Sequence, residues 1–216
     1  MPPNRTAQAK PIDLIASAED YFRGSRCLSD ARVSFFRSCG QSTEFYELPH
    51  VLRYHRACFM LEAFSLELFL KGVHAAREQG VFPTGHNLKT LFDNLSGADR
   101  ASIEYIYDNA PRFQKEFREQ QRLRGVPSDF HTQLKASASA FAHNRYSFEE
   151  SRPDMCWVGS DILLSTRIFI FQEFPALTDS LQIGVVRKED YVDPREGKHV
   201  FLSCNEEEPH KLKRDK

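Results

Sequence analysis

The sequence has little of what would place it in a specialised class. Its five cysteines (Cys27, Cys39, Cys58, Cys156 and Cys204) form an odd, scattered set with no C-x-x-C pair. That argues against a disulfide scaffold and a thiolate zinc site, and for a reducing compartment. Histidine spacing is equally unhelpful to a metal, since His50 and His55 are five apart and His74 is remote from both. No metal and no cofactor are expected. No apolar run is long enough to cross a bilayer, and Met1 to Arg5 lack the apolar stretch of a signal peptide. The expectation is therefore a cytoplasmic protein with no membrane partner. Neither sign of charge is in excess: 29 Lys and Arg face 30 Asp and Glu. This excludes a strongly basic coat for nucleic acid but leaves room for a local basic site. There is no G-x-G-x-x-G, no Walker A run and no internal repeat, so a Rossmann, barrel or propeller reading has little support.

What is present is phenylalanine, 18 residues against a single tryptophan. Its bulk comes without a polar handle, which points to core or subunit packing before ligand stacking. With 216 residues, 41% of them hydrophobic, and a mean hydropathy of -0.51, the chain suits a globular protein with a self-sufficient core.

Residues 1–10 read as a flexible leader and Pro11 as the first turn of a helix ending near 26–30, followed by a short helix and a loop over 31–47. The strongest helix spans 52–79, between Pro49 and Gly80. Leu52, Phe59, Leu66 and Leu70 form its main stripe, and Leu61, Phe64 and Leu68 widen it, so it should lie centrally. Shorter amphipathic helices follow: one through Leu88, Leu91, Phe92 and Leu95, and one capped by Ser96 with Asp99 and carrying Ile103, Ile106 and Tyr107. Phe113 and Phe117 continue a helical pattern in a basic segment ending at Gly125. Ser128 is the expected cap of a helix to about Tyr146, and a packing helix is placed at 159–174, where Pro175 ends the pattern. The last stretch is charged and poor in apolar anchors; Leu181 to Val186 and His199 to Phe201 could make a peripheral hairpin. The organisation is thus a leader, a helical bundle over 11–180 and a charged C-terminal extension over 181–216.

Several of these residues carry a resemblance. Ser65 to Lys71 in the long helix, then Gly85-His86-Asn87-Leu88-Lys89-Thr90-Leu91-Phe92, then Phe141 to Glu149, together resemble HEPN-domain proteins over about residues 12–175. The shared features are Glu67 and Lys71 near the end of an apolar helix, the His86-Asn87-Leu88 helix start, and the Arg145-Tyr146 pair. The resemblance implies an all-α fold, an antiparallel helical bundle with a short peripheral C-terminal extension, often homodimeric. Family members are variously ribonucleases, nucleotide binders or noncatalytic protein-interaction modules. The catalytic branch pairs Arg with a His after four to six intervening residues. Arg145 has no such histidine, whereas Arg124 and His131 have six residues between them, though Gly125 and Pro127 make much of that interval a loop.

Each candidate has a structural and a functional reading. Glu67 and Lys71 stand at i,i+4 and suit a helix-face ion pair, the favoured reading, or a ligand contact. His86 can cap a helix start or touch a substrate. Arg145 can pair with Glu149 or grip a phosphate while His143 or Tyr146 touches the ribose or base. Arg53, His55 and Arg56 read slightly better as a solvated basic cluster than as a phosphate pocket. Arg118, Arg122, Arg124 and His131 form a weak basic groove edge. The ligand-binding set is Glu67, Lys71, His86, Arg145 and Tyr146, with Lys71 and Arg145 expected to face a shared accessible groove. The candidate catalytic pairs are Arg145 with His143 and Arg124 with His131. The leading expectation is an RNA or nucleotide phosphate-binding module, noncatalytic or weakly catalytic. The alternatives are a metal-independent endoribonuclease in a defence, stress-response or RNA-processing system, and a structural module that docks a protein partner.

Overall fold

The computed structural model describes residues 6–38, 48–109, 118–119, 122–123, 125, 128–140 and 160–181. Most of these residues are helical, with one two-stranded sheet and short turns between: β1 Thr6–Gln8, α1 Pro11–Ser38, α2 Leu48–Arg77, β2 Val81–Pro83, α3 Leu88–Asp93, α4 Gly97–Asp108, α5 Phe130–Ser137, α6 Ser160–Glu173 and α7 Pro175–Ser180. The fold is all-α, and no described helix is long and apolar enough to cross a membrane.

α1 runs unbroken for 28 residues, past the end near 26–30 expected from the sequence. No proline interrupts it. A Cβ on Gly24 would stand 3.5 Å from Leu61, so α2 packs beside this glycine and supports the helix where propensity alone is weak. α2 begins at Leu48 with Pro49 in its first turn, where a missing N–H removes no helical bond. It ends in a left-handed reversal: Gln79 has φ 50° and Gly80 φ 94°, and the Gly80 amide donates to Ala75 O at 2.7 Å.

α1 and α2 run antiparallel. Ser65 Oγ donates to Ala18 O at 2.8 Å, Cys58 Sγ approaches Ser25 O at 3.4 Å, and a Cβ on Gly72 would come within 2.8 Å of Ile15 Cγ1. Small residues at the seam bring the backbones close. The rest of α2 faces inward on several sides through Leu66, Phe69, Leu70 and Val73, all buried, and it contacts α1, α3, α6 and β2. It is the central helix its sequence pattern implied.

The far side of the core is aromatic. Phe130 lies 4.9 Å from Phe92 and 5.2 Å from Tyr107 between ring centroids, joining α5 to α3 and α4. The cap of α5 is Asp129 and not Ser128. Asp129 accepts from the Thr132 amide at 2.9 Å, while Ser128 lends its carbonyl to the Tyr107 hydroxyl at 2.8 Å. The Tyr107 ring is buried, and that carbonyl is the partner its hydroxyl needs. Bonding first to the Thr132 amide and then to its hydroxyl holds the Asp129 carboxyl below the ordinary aspartate range. A depressed folded-state value contributes stability above the unfolded value and loses it as pH falls through the folded one. Asp129→Ala should therefore cost about 1 kcal/mol at neutral pH, and denaturant titrations should show the gap from wild type shrinking in acid.

Ser96 does cap α4, accepting from the Asp99 amide at 3.1 Å. α7 follows α6 directly, with Pro175 at its first position; the proline that ends one helix starts the next. Thr6–Gln8, inside the stretch read as a flexible leader, pair antiparallel with Val81–Pro83. That pairing depends on the reversal at Gly80 and is invisible in so short a polar segment. α5 ends at Ser137 with Ala138 as its C-cap, short of the Tyr146 expected from the sequence, and residues 141–146 and the C-terminal hairpin lie outside the described residues.

Candidate functional site

Helical spacing puts Glu67 and Lys71 on one face of α2, and the chain beyond β2 returns His86 to them. Lys71 Nζ donates to Glu67 Oε1 at 2.7 Å, and His86 Nδ1 stands 2.9 Å from the same oxygen. A carboxylate accepts, so the neutral ring carries its proton on Nδ1. Burial differs sharply among the three: the Glu67 side chain is 1% exposed and that of Lys71 7%, whereas that of His86 is 57% exposed. Glu67 Oε2 is buried without a hydrogen-bond partner. The Phe82 ring of β2 lies 5.9 Å from Lys71 Nζ.

Three of the sequence candidates thus converge. Their roles differ from a simple phosphate grip, because Lys71 is turned into the protein and neutralised by Glu67, leaving His86 as the accessible member. Nor does His86 cap α3. Asn87 does, its Oδ1 accepting from the Thr90 amide at 2.9 Å, which frees His86 to reach back across the fold. An ion pair this buried is held at a desolvation cost, so its geometry matters more than its net stabilisation.

Of the other candidates, only some fall among the described residues. His131 is exposed, with Nε2 3.5 Å from Glu104 Oε1. Arg124, His143, Arg145 and Tyr146 lie outside the described residues, and with them both Arg/His catalytic pairs and the groove shared by Lys71 and Arg145; so do the side chains of Arg53, His55 and Arg56. Arg118 is buried and clamps rather than lining a groove: it donates to Tyr107 O at 2.9 Å and stacks 4.3 Å from that ring. It also lies 3.5 Å from Asp161, whose carboxyl burial pushes up against the pull of Arg118 and Arg26. Arg122 is exposed but spent on Glu119, with contacts of 3.0 and 2.7 Å. Among the described residues, the members of the basic edge expected here are therefore partnered within the chain.

Sequence reasoning missed three polar links. Glu19 and Arg167 form a buried two-point ion pair, 2.7 and 2.9 Å. Arg77 forks onto Asp99 at 3.2 and 2.6 Å and reaches Glu173 at 2.7 Å; these bonds, that to Asp99 first, raise its pKa further above the already high arginine value. His74 Nε2 donates to Leu91 O at 2.9 Å, tying α2 to α3. One signal was available: Arg167 sits among Ile162, Leu163, Ile168 and Phe169, and a cation on such a face calls for a buried partner. A cleft of about 530 Å³ opens beside Lys10, Pro11, Ala76 and Gln79, and none of the candidate residues lines it. Among the described residues no cluster of three or more His, Cys, Asp or Glu could hold a metal ion.

Comparison of the chain with protein-family models, with curated proteins and with solved structures finds no match in any of the three.

Proposed function

We propose that this chain is an HEPN-like helical module that binds the phosphate of RNA or of a nucleotide, noncatalytic or weakly catalytic, with His86 as the residue that meets the ligand. The observation that carries the reading is the anchoring of an exposed imidazole, through Nδ1 at 2.9 Å, to a buried carboxylate that also holds Lys71. Glu67 and Lys71 act as positioning residues. With Glu67 holding the ring, the exposed edge of His86 is the part that meets the phosphate. The homodimer belongs to the same proposal and rests on the resemblance.

Titration of the full chain with AMP and with a short single-stranded RNA tests this. Saturable binding is expected, weakened about tenfold, or 1.4 kcal/mol, by His86→Ala. A folded protein that shows no saturation with either ligand removes the reading. The second reading, a metal-independent endoribonuclease, draws on the same pair, because a carboxylate that orients a histidine is the arrangement of a general base. RNA cleavage in EDTA that His86→Ala abolishes would favour it. A stoichiometric protein complex without nucleotide affinity would instead favour a docking module.

A further inference from the structure

We propose that the N-terminal strand β1 is a strap that positions His86 against Glu67 and so sets the affinity of the site. The inference takes its ligand from the phosphate reading above, but its structural half stands without it.

The strap begins at the α2 reversal. The Ala9 amide donates to Gly80 O at 3.0 Å, and a Cβ on Gly80 would lie 2.9 Å from Ala9 O, so a glycine is what lets the two backbones meet. The register then runs Gln8 to Val81, Ala7 to Phe82 and Thr6 to Pro83. Antiparallel pairs alternate between hydrogen-bonded and non-hydrogen-bonded. With Ala9 and Gly80 bonded, Ala7 and Phe82 form the next bonded pair, while Pro83, which has no N–H, falls at a non-bonded position. β1 thereby fixes Phe82, the residue that covers Lys71.

From Pro83 only Thr84 and Gly85 intervene before His86. A Cβ on Gly85 would meet nothing within 4 Å, so packing at that residue does not guide the link. Its ends are held by β2 on one side, and on the other by the Asn87 cap and the Leu88 amide, which donates to Ala138 O at 2.9 Å. Two strands of three residues make a marginal sheet. Such a strap can release without unfolding the helices, and its release loosens β2, the near end of the link.

The test compares Ala7→Pro with Gln8→Pro in the full chain. Ala7→Pro deletes an N–H that the ladder uses, whereas Gln8→Pro deletes one at a non-bonded position. The readouts are the nitrogen NMR tautomer of neutral His86, helical circular dichroism, and AMP affinity. Ala7→Pro should keep its helices, lose the Nδ1–H tautomer and bind AMP about fivefold more weakly, because the site is no longer preorganised. Gln8→Pro should change neither. A third variant adds Gln8→Cys and Val81→Cys to Ala7→Pro. These positions form a non-bonded pair close enough for a disulfide, so oxidation, verified by mass, should restore tautomer and affinity. An unchanged tautomer in Ala7→Pro, equal effects of the two proline variants, or no recovery on oxidation overturns the strap. Should Ala7→Pro lose its helices, the wild-type background with the two cysteines decides: the locked form must hold the Nδ1–H tautomer at least as firmly as the reduced one. A tautomer that responds as expected in a protein that never binds AMP sinks the phosphate reading and leaves the strap standing.

Discussion

Glu19→Ala is expected to destabilise the protein by about 3–5 kcal/mol, because it strands a cation inside the bundle. Arg167 is 5% exposed and Glu19 4%. The guanidinium makes two bonds to the carboxylate and lies 4.9 Å from the Phe22 ring and 4.6 Å from that of Phe171. Arginine does not shed its proton, so the stranded charge has no neutral form to retreat to. The reverse change, Arg167→Met, should cost less, since Glu19 keeps Arg23 at 3.2 Å on the half-exposed side. Replacing both partners, Glu19→Leu with Arg167→Met, should recover most of the loss or exceed wild type. Equilibrium urea unfolding of the three variants gives the comparison. If the double variant is as unstable as Glu19→Ala, the loss is one of packing and not of an unpaired charge.

Glu67→Ala is the second large effect, again about 3–5 kcal/mol, because the buried Lys71 ammonium loses its acceptor. Glu67→Gln should fall between alanine and wild type: the amide oxygen can still accept from Lys71, but the charge attraction is gone. Lys71→Met should be milder than Glu67→Ala, since His86 still donates to the carboxylate and the thioether stem fills similar space. The same measurements bear on function. Glu67→Ala should also release His86, lowering AMP affinity even where the protein remains folded. A Glu67→Ala protein within about 1 kcal/mol of wild type would match a solvent-exposed pair, and would mean that this cluster is open to water and not the held constellation described.

These two variants mark the division between what is legible locally and what is not. The helix face shared by Glu67 and Lys71 follows from their spacing, and so does the pair itself. The third member, His86, lies 19 residues on, and the short link before it can point the ring anywhere; its bond to Glu67 exists because β2 folds back over α2. The sequence suggested a cap for His86 because a helix begins there, and Asn87 occupies that role by supplying an oxygen at the right position.

By itself, the sequence determined the all-helical class, the central place of α2 and the starts and stops punctuated by Pro49, Gly80 and Ser96. Those features depend on periodicity and on the backbone limits of single residues, which act over a few positions. Only the tertiary structure decided the unbroken length of α1, the pairing of Thr6–Gln8 with Val81–Pro83, and the meeting of Glu19 with Arg167 across 148 residues. Each of these arises where separate segments come together. A charge finds its partner, a weak helix its support and a lone strand its neighbour only once the helices have crossed at particular angles, and no short stretch of chain encodes that crossing.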